Sequence, residues 1–150
     1  MKPHQDVYLF NTSIRENIAY GESVIDDDEV LRCAEMVGTS EFVRQLPRKF
    51  ETILSERGMG LLGGQRIALA RMIYRKPKFL ILDEATSSLD LQSEEIIYKN
   101  LQSFFRERTV IIISHREETL KYTDFVIKLN DGQVVQDCRK VKESLVLTPV

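Results

Sequence analysis

A chain of 150 residues that is 43% hydrophobic and 29% charged has ordinary globular composition and suits one domain or one large piece of one. Its formal net charge of -2 gives no basic footprint, which argues against nucleic acid as a partner. Cys33 and Cys138 match no metal or redox spacing and read as reduced thiols, and no apolar run reaches the roughly 20 residues of a bilayer-spanning helix. The opening Met1-Lys-Pro-His-Gln-Asp6 is too polar for a secretory signal, so any membrane role is expected to come through a partner.

Short helices are expected in the first half. Ser13-Ile-Arg-Glu16 predicts a capping box, in which the serine hydroxyl and the glutamate carboxylate each satisfy a free backbone N–H. Asp26 and Glu29 repeat the pattern and open a helix with Val30, Ala34 and Val37 along one face. Thr39 or Ser40 is expected to cap a further helix carrying Phe42, Val43 and Leu46 ahead of Pro47. From Gly58 the pattern changes to a glycine-rich loop, a helix from about Gln65 to Tyr74, and the apolar run Phe79-Leu-Ile-Leu-Asp83, which reads as a buried parallel strand. A helix from about Ser93, with Ile97, Leu101, Phe104 and Phe105 on one face, leads to a second apolar run, Val110-Ile-Ile-Ile113, completing a βαβ unit. Asn130-Asp-Gly132 between Phe125–Leu129 and Gln133–Val135 predicts an antiparallel hairpin. From about Arg139 the chain reads as a loosely attached tail.

An apolar strand ending in Asp83-Glu84 places two carboxylates at the C-terminal edge of a sheet, the usual ligand edge of an α/β fold. There the first acid can hold Mg²⁺ and the second can orient a water for attack on a phosphate. Isolated, such a pair would more often cap the next turn; its neighbours change the reading. Phe79-Leu-Ile-Leu-Asp-Glu-Ala-Thr-Ser-Ser-Leu-Asp90 resembles the Walker B strand, catalytic glutamate and D-loop of ATP-binding cassette (ABC) ATPases in unbroken succession. Upstream, Leu61-Leu-Gly-Gly-Gln65 is similar to that family's Leu-Ser-Gly-Gly-Gln signature, and downstream Ile113-Ser-His115 resembles its switch histidine. Gln5-Asp-Val-Tyr-Leu-Phe10 followed by Ser13-Ile-Arg-Glu-Asn-Ile-Ala-Tyr-Gly21 resembles the Q-loop and helical-subdomain entry of exporters, and Ser55-Glu-Arg-Gly58 their X-loop. The resemblance runs from Gln5 to about Gln136 and corresponds to the C-terminal two-thirds of the family's ATPase domain.

That resemblance implies an α/β fold: part of a P-loop NTPase (RecA-like) parallel-sheet core with an inserted α-helical subdomain. The subdomain, with Q-loop, X-loop and signature, would occupy about 11–64, the core portion about 65–138, and the tail 139–150. It further implies ATP and Mg²⁺ as ligands and ATP hydrolysis coupled to export. Glu84 and His115 would be catalytic, and Asp83 and Gln5 would handle the metal. Leu61, Leu62, Gly63, Gly64, Gln65 and Asp90, again with Gln5 and Asp83, would serve the nucleotide. The expected partners are the transmembrane domains of an exporter and a second nucleotide-binding domain in head-to-tail contact, at the cytoplasmic face of a membrane. The physical basis of the signature is a helix opening whose unpaired N–H groups at Gly63 and Gly64 face the γ-phosphate.

Three departures qualify the resemblance. No Gly-x-x-x-x-Gly-Lys-Ser/Thr segment occurs in these residues, so no backbone nest and lysine are present for the β- and γ-phosphates. In the family that segment's strand and helix lie beside the strands kept here, so exposed strand edges and core surface are expected. Leu62 stands where the family has a serine whose hydroxyl helps bind phosphate. Gln65-Arg-Ile-Ala-Leu-Ala-Arg71 is two residues shorter than the family's pattern, and two residues rotate a helix by about 200°. The alternative is therefore a degenerate, non-catalytic remnant or interaction module of such an ATPase. Non-transport members of the family fit less well, given Leu9-Phe-Asn-Thr-Ser-Ile-Arg-Glu-Asn-Ile18 and Glu56-Arg-Gly58.

Overall fold

The computed structural model describes residues 8–54, 61–141, 144–145 and 148–149, with backbone alone for 61–62 and from 136 onward. Gln5 and the X-loop-like Ser55–Gly58 lie outside the described residues. The chain divides into two compact units, Met1–Ile113 and Ser114–Val150.

The first unit opens on α1 (Ile14–Ile18), which has the predicted capping box: Ser13 Oγ accepts from the Glu16 N–H at 3.1 Å and the Glu16 carboxylate accepts from the Ser13 N–H at 2.9 Å. Helix α2 (Asp27–Met36) is capped by Asp26, which accepts from the Glu29 N–H at 3.1 Å, and it buries Val30, Cys33 and Ala34 with Val37 just beyond. Glu29 does not close a second box; its carboxylate pairs with Arg32 at 2.7 Å and Lys76 at 2.9 Å. The chain leaves α2 through Gly38 at φ +67, the left-handed position that favours glycine after a helix, and Thr39 N–H returns to the Ala34 carbonyl at 2.8 Å.

Helix α3 (Ser40–Arg44) departs from expectation at its start. Thr39 occupies the cap position with helical backbone angles, φ -86 and ψ -27, so its hydroxyl makes no cap and is buried without a partner. Helix α4 (Leu61–Tyr74) begins four residues ahead of the expected Gln65 and takes Gly63 and Gly64 into its first turn. It packs on α1 and α2, and its Ile67, Ala70 and Ile73 are each at most 2% exposed. Burying such an aliphatic side chain contributes about 1.5–3 kcal/mol, so this contact is a main source of the unit's cohesion.

The predicted βαβ unit follows as β1 (Phe79–Asp83), α5 (Leu91–Phe105) and β2 (Thr109–Ile113). The strands pair in parallel with Phe79 opposite Thr109 and Asp83 opposite Ile113. Leu80 and Leu82 are buried on one face with Ile97 and Leu101 of α5 also in the core, while Phe79, Ile81, Ile111 and Ile113 are 45–59% exposed on the other. Parallel strands normally have both faces covered, so an uncovered apolar face is what the resemblance predicted for these strands.

In the second unit a 3₁₀ segment, Glu117–Tyr122, precedes β3 (Phe125–Asn130) and β4 (Gln133–Val141), which form the predicted antiparallel hairpin. Asp131 and Gly132 both have positive φ, +48 and +78, as a two-residue turn matched to strand twist requires. Strand β4 continues past Arg139 and pairs with β5 (Ser144–Leu145) and β6 (Thr148–Pro149), so strand pairing extends into the segment read as a tail.

Candidate active site

Asp83 is the last residue of β1 and is exposed; Glu84, half-buried, begins the loop to α5. Glu84 has φ +45, a left-handed conformation that strains a residue with a Cβ, and its N–H is held by the Ile113 carbonyl at 2.9 Å. The pairing of β1 with β2 therefore fixes where this backbone turns. Beyond it, Ser87 N–H bonds the Glu84 carbonyl at 3.0 Å and Leu89 N–H bonds the Thr86 carbonyl at 2.9 Å, giving two successive turns. Leu89, 2% exposed, roots the loop, and the buried Thr86 hydroxyl donates to the buried Glu94 carboxylate of α5 at 2.6 Å.

Asp90 closes the loop as the N-cap of α5. One carboxylate oxygen accepts from the Ser93 N–H at 2.8 Å and the other from the Ser93 hydroxyl at 2.7 Å, which holds its pKa below the ordinary 3.8. Both oxygens thus serve a local structural role within this chain.

The glycine-bearing start of α4 adjoins this loop. Gly64 is buried, and a Cβ on it would lie 3.5 Å from Leu9 Cδ1. Gln65, 5% exposed, accepts a hydrogen bond from the Ser88 hydroxyl through its side-chain carbonyl oxygen. Asp83, Glu84, Asp90, Gly63, Gly64 and Gln65 consequently belong to one unit, linked through Gln65 and Ser88. His115 is exposed at the start of the second unit, where the adjacent Ser114 hydroxyl bonds Thr119 Oγ1 at 3.2 Å and accepts from Arg116 N–H at 3.0 Å. Gln5 lies outside the described residues, as do the side chains of Leu61 and Leu62.

Among the described residues no three His, Cys, Asp or Glu side chains gather into a metal-binding cluster. At the strand edge the exposed Asp83 offers a hard carboxylate, and it fits an ion such as Mg²⁺ that takes one or two carboxylates and fills its shell with water and phosphate oxygens. Sequence reasoning did not single out Ser88, the Thr86–Glu94 pair or the Ile113 carbonyl. Only Ser88 and Thr86 left a trace, as polar residues inside the matched run.

The sequence profile of the ABC transporter family matches residues 2–87. Among curated relatives, the heterocyst differentiation ATP-binding protein HepA of Nostoc sp. is 44% identical over 134 residues, 88% of this chain and 22% of the relative. The leukotoxin translocation ATP-binding protein LktB of Mannheimia glucosida is 46% identical over 134 residues, 88% of this chain and 19% of the relative. A solved structure of a bacterial Atm1-family ABC exporter with ATP bound superposes with a TM-score of 0.80 at 34% identity, over 89% of this chain and 24% of that one. The chain thus spans less than a quarter of the length of each.

Proposed function

Because this chain belongs to the ABC transporter family, we propose that it forms part of the ATP-binding and ATP-hydrolysing unit of an exporter, whose transmembrane domains carry the path across the membrane. No helix among the described residues is long and apolar enough to cross a bilayer itself. The observation that carries the reading is the end of β1: Asp83 at the strand edge and Glu84 held in a strained turn by the Ile113 carbonyl.

In this reading Asp83, with Gln5, would hold Mg²⁺, which when bound would supply neutralisation of phosphate charge. Glu84 orients and polarises the attacking water, and the backbone turn holds its Cα at the strand edge before substrate arrives. His115 donates a hydrogen bond to the γ-phosphate. Leu61, Leu62, Gly63, Gly64 and Gln65, at the start of α4, face the phosphates bound by a second, head-to-tail domain, and Asp90 lies at the junction between domains. The grip on the β- and γ-phosphates comes from a Gly-x-x-x-x-Gly-Lys segment, absent from these 150 residues.

The test supplies that segment. A fusion placing a phosphate-loop strand and helix ahead of Gln5 should hydrolyse ATP in a magnesium-dependent way, and Glu84→Gln should reduce turnover about 100-fold or more. A folded fusion without turnover overturns the reading.

The altered start of α4 favours a second reading, a non-catalytic relative. Gly63 and Gly64 lie inside the helix, and Gly64 is packed against Leu9. On this reading the fusion turns over only after Leu62→Ser and insertion of two residues following Gln65.

A further inference from the structure

The register of α4 is pinned along its length. Arg66 Nη1 donates to the Gly38 carbonyl at 2.8 Å, and Arg71 donates to the Asn17 carbonyl at 2.7 Å and to Asn17 Oδ1 at 2.8 Å. The Tyr74 hydroxyl accepts from the Asp26 N–H at 3.1 Å, and Arg75 donates to the Tyr20 carbonyl at 2.7 Å. Sliding the helix by two residues would turn it by about 200° and break all of these bonds, so the shortened signature must be absorbed at the N-terminal end. There Gly64 meets Leu9 and the Gln65 side chain turns inward to the Ser88 hydroxyl.

We propose that Gln65 and Ser88 form a positioning pair that clasps the glycine-bearing start of α4 to the Glu84–Asp90 loop. The Gln65 side-chain carbonyl oxygen is thereby tied to the loop, through which it acts on the turns that follow Glu84. Displacement at the first turn of α4 is transmitted to the turns that follow Glu84, and the reverse holds equally. The bearing of this clasp on hydrolysis rests on the proposed function; its existence does not, and its test uses no nucleotide.

The test is amide hydrogen exchange on the whole chain. In α4 the N–H groups of Arg66 and Ile67 bond the Leu62 and Gly63 carbonyls by helical geometry, so their exchange reports fraying of the first turn. The Ser87 and Leu89 N–H groups report the loop. Ser88→Ala and Gln65→Ala should each accelerate both sets of amides by about 3- to 10-fold, the effect of one lost hydrogen bond. The double variant should go no further than either single change. Ser88→Thr, which keeps the hydroxyl, should stay near the parent rates, and the amides of Val30 and Ala34 in α2 should not move. Acceleration confined to the mutated side, multiplicative effects in the double variant, or no rescue by threonine would each overturn the proposal.

Discussion

Arg71 grips Asn17 twice, at the main-chain carbonyl and at Oδ1, at 2.7 and 2.8 Å. Asn17 is fully buried, and its amide nitrogen donates to the carbonyls of Phe10 and Ser13 while Oδ1 also accepts from the Phe10 N–H at 2.9 Å. One asparagine thus joins the segment before α1 to α4, and the Arg71 guanidinium also lies 5.0 Å from the Phe10 ring centroid. Asn17→Leu, which leaves several buried groups unpaired, should cost about 3 kcal/mol or more. Arg71→Lys should recover little of the loss in Arg71→Ala, because an ammonium cannot make the two-pronged contact. Urea unfolding of the variants checks both, and a lysine variant as stable as the parent would contradict this account.

Glu84 occupies backbone space that glycine prefers. Glu84→Gly should therefore leave the chain as stable as the parent or more stable by about 0.5–1 kcal/mol, despite the entropy of the added glycine. In a fusion that hydrolyses ATP the same change should abolish turnover. A clear loss of stability in thermal unfolding would show that the left-handed turn is not strained.

Acid should weaken the helix caps. Hydrogen bonds from the Ser13 N–H and hydroxyl hold Glu16 below its ordinary 4.5, and those from the Ser93 hydroxyl and N–H hold Asp90 below 3.8. Both shifts are downward, so the stability they contribute is complete above the ordinary values and disappears as pH falls through the depressed ones. Unfolding midpoints followed from about pH 6 to pH 3 should fall, and Ser13→Ala and Ser93→Ala should each flatten the fall. An unchanged slope in both variants would refute the assignment.

Cys33 is fully buried on α2, and desolvation pushes its thiol up to about 11. At about pH 8 only about one thiol in a thousand is ionised, so in a Cys138→Ser background the native chain should resist a disulfide reagent. Urea should release rapid labelling. Fast reaction of the native chain would mean that α2 opens readily.

Much of this arrangement could be read from local pattern. The Ser13–Glu16 box, the βαβ strands and the Asn130-Asp-Gly turn rest on residues at most a few positions apart or on continuous apolar runs, and they form where expected. The beginning of α4 did not, because it meets Leu9 at Gly64 and Ser88 at Gln65, both remote in sequence from their partners. Thr39 failed as a cap because its backbone had already turned helical, which residue identity does not encode. Asp90, assigned from resemblance to coupling between domains, also carries a cap whose signature, an acid three residues before Ser93, was present in the sequence. The strain at Glu84 arises only when β2 delivers the Ile113 carbonyl, and no motif announces it.

The uncovered side of β1 and β2 also governs how the protein behaves in a tube. Phe79, Ile81, Ile111 and Ile113 form an oily strip on a molecule whose net charge of -2 gives little mutual repulsion. Sulfate, which strengthens the tendency of such surfaces to leave water, should salt the chain out at low concentration, and dyes that fluoresce on apolar surfaces should brighten against the folded protein. Purification buffers that avoid strongly salting-out anions follow directly from that strip.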